Sequence, residues 1–71
     1  YRLRTFLEVA RQGNFTRAAE VLSLTQPAVT LQIKSLEQEL GCALFDRSGQ
    51  KIVLSQSGQM LLPHAEAVHR I

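Results

Sequence analysis

Cysteine is nearly absent from this 71-residue sequence, and Cys42 stands alone. An internal disulfide is therefore excluded. Between Gly41 and Ala43, Cys42 reads as a small hydrophobe turned toward a core, with a reactive thiol as the minority alternative. A single thiol suits a reducing compartment. Long apolar runs are missing too: nothing approaches the roughly 18 consecutive apolar residues of a membrane span. No signal peptide is visible, because the chain opens YRLRTFLEVA, without a starting Met or an apolar segment. The missing Met and a helical pattern that stops at Ile71 lead to the expectation of a piece of something longer. The four glycines are single and mark element ends or turns, so no glycine-rich phosphate loop is present. His64 and His69 do not share a helix face, and no Cys or carboxylate completes a metal site around them. Glu37 and Glu39 point about 200° apart on a helix, so they are not a paired-carboxylate site. No nucleophile, base and orienting acid present themselves, and no catalytic residue or metal ligand is expected. Charge is also sparse. Eight Lys and Arg against six Asp and Glu give a net +2, which makes a polyanion partner credible only if the basic groups cluster.

What the sequence does contain is one small domain's worth of amphipathic helix. The clearest stretch is TQPAVTLQIKSLEQELG. Thr25 can accept a backbone N–H as an N-cap, Pro27 falls in the first turn where a missing N–H costs little, and Gly41 supplies a left-handed stop. Val29, Ile33, Leu36 and Leu40 fall on one stripe, with Pro27, Leu31, Lys34 and Gln38 opposite. Gln26 and Thr30 flank that outer face. Gln32 lies about 60° from Val29 and belongs to the flank of the core. A helix with a packed back and amide or hydroxyl groups at its front suits a DNA major groove. An ordinary amphipathic helix has the same stripe, so the neighbouring elements decide between the two.

Residues 1–12 read as a first helix with Leu3, Phe6, Val9 and Ala10 inward, ended by Gly13, with Asn14 in the turn. Thr16 can cap a short helix over residues 17–23, with Ala18, Ala19 and Leu22 facing in. Paired alanines permit close helix approach, and the short turn 23–25 completes a helix-turn-helix pattern. In that pattern Ser23 stands where glycine is frequent, and Leu24 and Val29 are apolar anchors. Leu44, Phe45 and the run Ile52, Val53, Leu54 bracket Ser48-Gly49, which reads as a two-stranded hairpin over residues 44–54 with Arg47, Gln50 and Lys51 near its tip. For Arg47 the alternative is a salt bridge with Asp46 or a nearby Glu. For Gln50 and Lys51 it is a solvated turn. The expected fold class is mainly α: a winged helix-turn-helix with a three-helix core and a two-stranded wing. A further helix follows over residues 55–71. In it Leu61, Ala65 and Val68 share a face, and Met60, Leu62 and Ala67 make other sides apolar. That excess points to a partner, most simply a second copy, with Leu61, Ala65 and Val68 as interface residues. Pro63 should kink or weaken this helix.

FTRAAEVL, TQPAVT, SLEQELG, LFDR and LSQSG together resemble the N-terminal DNA-binding domain of LysR-type transcriptional regulators over nearly the whole chain. The resemblance implies a winged helix-turn-helix over residues 1–54 and the start of a linker or dimerisation helix over residues 55–71. A C-terminal effector domain would normally follow and take a small-molecule effector, with no cofactor in the present chain. It further implies sequence-specific binding to double-stranded DNA as a homodimer, with higher oligomers open to the full protein, in the cytoplasm and away from any membrane. Carried over residue by residue, Gln26, Pro27 and Thr30 would meet bases or groove. Lys34 would meet a phosphate or a base edge, and Thr16 with its neighbouring amides a phosphate. Many members have Arg where this chain has Leu31, and a leucine there would touch a thymine methyl and change the preference. Gln50 also replaces a frequent Arg, leaving Lys51 as its substitute in the wing. A winged helix that docks on protein is the competing class, and the Gln, Thr and Lys of the outer face argue against it.

Overall fold

In the computed structural model, which describes residues 2–48 and 51–68, the chain runs α1 (Arg2–Gln12), α2 (Phe15–Leu22), α3 (Gln26–Leu40), β1 (Phe45–Ser48), β2 (Lys51–Leu54) and α4 (Gln56–Val68). The first three helices pack on one another, α4 lies against α1, and the two strands form an antiparallel hairpin, which makes this a winged helix. Apolar spacing explains which faces turn inward. Phe6 and Val9 of α1, Ala18 and Ala19 of α2, and Val29 and Ile33 of α3 share one core. Three rings tie its layers together: Phe45 lies 5.4 Å from Phe6 and 6.1 Å from Phe15 between centroids, tilted and edge-on respectively.

The hairpin register pairs Phe45 with Leu54 and Asp46 with Val53. Side chains alternate along a strand, so Phe45 is buried, Leu54 packs on the core, and Val53 faces outward. The start of α4 is bonded to the loop before β1. The Ser55 hydroxyl donates to the Ala43 carbonyl at 2.7 Å and accepts from the Gly58 amide at 3.0 Å, and the Ser55 amide donates to the Leu44 carbonyl at 2.9 Å. Ser55 thus caps α4 and anchors it in one step. From the other side, the Glu37 carboxylate accepts from the Leu44 amide at 2.8 Å.

Helix α3 has the bounds its sequence predicts. The Thr25 hydroxyl accepts from the Ala28 amide at 3.3 Å, and Gly41 sits at φ +74° where a left-handed stop is needed. Helix α2 differs. Its cap is Asn14, whose side-chain oxygen accepts from the Arg17 amide at 3.1 Å, and Thr16 lies inside the first turn. The earlier start turns Phe15 into the core, where it is buried, and that burial decides between the capping residues on either side of it. Two apolar expectations also fail. Leu40 is 48% exposed, because α3 runs on past the side chains that cover Leu36. Leu24 is 38% exposed, in the turn between helices, and so is no core anchor. Leu22 is half-buried, and Cys42 is half-buried and packs against the core, so these two inward readings hold in part.

Pro63 neither ends nor splits α4, which is continuous through it. Pro63 and Gln59 are both exposed, so the hydrogen bond that proline removes falls on the outer side of the helix, where water can serve the carbonyl. The part of the expected helix over residues 69–71 lies outside the described residues.

Ser23 is the one described non-glycine residue at positive φ, with φ 59° and ψ 40°, and its amide donates to the Glu20 carbonyl as α2 closes. This conformation is the reason glycine suits the position. Ser23→Gly is expected to raise stability by about 0.5–1 kcal/mol, the relief of left-handed strain less the added freedom of the unfolded chain. Urea denaturation checks it, and an unchanged or lowered midpoint would contradict the assigned strain.

Candidate nucleic-acid interface

The N-terminal half of α3 is held from behind and left open in front. Val29 and Ile33 are buried, while Gln26, Pro27, Leu31 and Lys34 are exposed and Thr30 is half-buried. Gln32, on the flank, accepts from the Thr5 hydroxyl of α1, which ties the back of the helix down. Gln26 and Thr30, one helical turn apart, are joined: the Gln26 amide nitrogen donates to the Thr30 hydroxyl at 2.9 Å. The bond orients the amide and leaves Gln26 with a free oxygen and a second N–H.

Electrostatics favour an anion on this side. Neither α2 nor α3 has an acidic residue in its first turn. The two carboxylates of α3 are engaged elsewhere, Glu37 with the Leu44 amide and Glu39 with Arg2, which also donates to the Ser35 hydroxyl at 3.1 Å. The N-terminal half of α3 therefore presents no acid, and its N-terminus adds partial positive charge, while Lys34 borders a cleft that Glu37 and Asp46 also line. Thr16 is exposed in the first turn of α2 beside Arg17, also exposed, a cation that the helical pattern alone did not single out.

Leu31, Pro27, Gln26, Thr30 and Lys34 thus lie together on one face as their spacing predicts, and Thr16 is accessible on the neighbouring helix. In the wing, Gln50 lies outside the described residues, as do the side chains of Arg47 and Lys51. The expected interface trio on α4 divides. Ala65 is fully buried in this chain's own core and is not free to meet a partner. Val68 is exposed, and Leu61 is partly covered by the core. These two line a largely apolar cleft of about 500 Å³ with Leu3, Leu36 and Leu40, bordered by the Arg2–Glu39 ion pair. Met60 is exposed as well.

Residues 1–59 match the model of the family described as bacterial regulatory helix-turn-helix protein, lysR family. The chain belongs to that family, and its winged helix is the one found in the DNA-binding domains of LysR regulators. Over 66 residues it is 46% identical to the RuBisCO operon transcriptional regulator of Allochromatium vinosum, covering 93% of this chain and 22% of that protein. It is 52% identical over 66 residues to the HTH-type transcriptional regulator HdfR of Salmonella newport, covering 93% of this chain and 24% of the relative. The chain therefore spans about a quarter of the length of the relatives it matches, and those relatives are named as regulators, not enzymes. Among solved structures, a CbnR DBD–DNA complex superposes with TM-score 0.89 at 37% identity, covering 94% of this chain and 77% of that one. A BenM DBD/benA site 1 DNA complex gives TM-score 0.90 at 33% identity, covering 94% and 75% respectively. Among the described residues, no helix is long and apolar enough to cross a membrane, and no His, Cys, Asp and Glu group could hold a metal.

Proposed function

We propose that this chain is the sequence-reading part of a dimeric transcription regulator, with α3 entering the major groove of double-stranded DNA. The observation that carries the reading is the front of α3, where Gln26, Pro27, Leu31 and Lys34 are exposed over a buried back, on a helix free of acids in that half. Relatives of the same fold solved as DNA complexes support it. Gln26, Pro27 and Thr30 meet base edges or the groove wall. Lys34 meets a phosphate or a base edge, and Thr16 and the amides beside it meet a phosphate. Arg47, Gln50 and Lys51 of the wing reach the backbone or minor groove.

The dimer forms through α4 and the cleft that Leu61 and Val68 line, placing two copies of α3 on an interrupted, partly palindromic site. Two half-sites also double a modest charge. Residues 1–54 do the reading and residues 55–71 begin the pairing helix. Because Ala65 sits in the shared core, that boundary separates tasks more than packing. A small-molecule effector is sensed by a separate region of the full regulator, which works in the cytoplasm and can assemble further.

Fluorescence anisotropy on duplexes enriched from a random pool tests this. Expected is enrichment of an interrupted palindrome, with affinity falling at least about tenfold between roughly 50 and 200 mM salt as phosphate contacts release counterions. No binding at low salt by the folded chain would overturn the reading. Binding without enrichment would remove the sequence-specific part of it.

A further inference from the structure

The front of α3 carries two columns of side chains at one-turn spacing, which sets residues beside one another. Gln26, Thr30 and Lys34 form a polar column whose first two members are bonded at 2.9 Å. Pro27 and Leu31 form an apolar column next to it, and Leu31 is 69% exposed. Single exposed leucines are ordinary on protein surfaces. This one is set apart by its place. It takes no part in the core, it stands beside Pro27, and it flanks the groups that hydrogen-bond. Among the base edges of a major groove, the C5-methyl group of thymine is the apolar feature.

We propose that Leu31 is a specificity-determining residue that reads a thymine C5-methyl group in each half-site, with Pro27 closing the other side of the contact. The proposal rests on the placement of α3 in the major groove. It commits this chain to a thymine beside the base pair that Gln26 and Thr30 engage. The neighbouring column supplies hydrogen bonds to one base pair, and the apolar column covers the methyl group of the next. A methyl group buried between two apolar side chains leaves water altogether, which gives the contact its energy.

The test uses duplexes enriched by the chain itself. Each thymine of a half-site is replaced in turn by deoxyuridine, which removes only the methyl group, and affinity is read by anisotropy. At one thymine per half-site the loss should weaken binding about fourfold. 5-Bromodeoxyuridine, whose bromine fills the methyl's space, should restore it. Leu31→Ala should abolish the difference between thymine and deoxyuridine at that position while keeping the circular dichroism of the parent. Indifference to deoxyuridine at every thymine, or an equal effect retained in Leu31→Ala, would overturn the Leu31 assignment and leave DNA binding by α3 standing. Failure of the folded chain to enrich any duplex would overturn both.

Discussion

Replacing Gly58 with alanine is expected to lower stability by about 2–4 kcal/mol, a loss that mutation of a helical glycine seldom brings. Glycine inside a helix ordinarily costs about 1 kcal/mol relative to alanine, so with space available the change would stabilise. Here a Cβ would sit 2.2 Å from the Leu44 carbonyl oxygen and 2.9 Å from a methyl carbon of Leu54. The leucine side chain could yield, but the carbonyl cannot, because the Ser55 amide holds it at 2.9 Å and the Leu44 side chain is among the most deeply buried in the core. Relief requires moving α4 away from the hairpin, which uncovers Ala65 and loosens Leu54. For a domain of this size each kcal/mol shifts the midpoint by roughly 4–8 °C, so a fall of about 10–25 °C in thermal unfolding is the readout. A variant as stable as the parent would show that α4 does not approach Leu44 this closely.

The second large effect concerns affinity. Gln26→Ala and Thr30→Ala should each weaken specific DNA binding by about 1–3 kcal/mol, and the double variant by less than their sum. The reason is the bond between them. Thr30 holds the Gln26 amide, so removing Thr30 also costs part of the order of Gln26, and that part is counted once in the double variant. Neither side chain supports the core, so stability should stay within about 0.5 kcal/mol of the parent. A double-mutant cycle by anisotropy on the enriched duplex measures the shared portion. Strict additivity would mean that the pair parts on binding. Unchanged affinity in both single variants would remove α3 as the reading helix.

How far the chain could be read in advance depended on how local each cause was. Helix α3 was legible because its start, its stop and its stripe all lie within one stretch, from Thr25 through Pro27 to Gly41. Its outer face was legible for the same reason, since fixed spacing puts Gln26, Thr30 and Lys34 in a row. At the start of α2 two capping residues compete, Asn14 and Thr16, and the choice falls to Phe15, whose burial depends on Phe45 thirty residues on. Leu40 obeys the periodicity of α3 but falls beyond the elements that could cover it. The tightness at Gly58 has no local sign at all, because the atom it must clear belongs to Leu44. Ala65 shows the same limit from the other side: its spacing on α4 is shared with Leu61 and Val68, and only the position of α1 makes it core instead of surface.

The loop of residues 41–44 acts as a gear tooth between two shafts. Glu37 grips its Leu44 amide from α3, and Ser55 grips the Ala43 and Leu44 carbonyls from the start of α4. Gly58 removes the clearance that would let α4 slip past. Turning α4 about its own axis therefore drags on the C-terminal end of α3, and tilting α3 in a groove pushes back on α4. In the dimer proposed above, the angle between the two copies of α3 is then set by torque through a few hydrogen bonds, without a hinge in either helix.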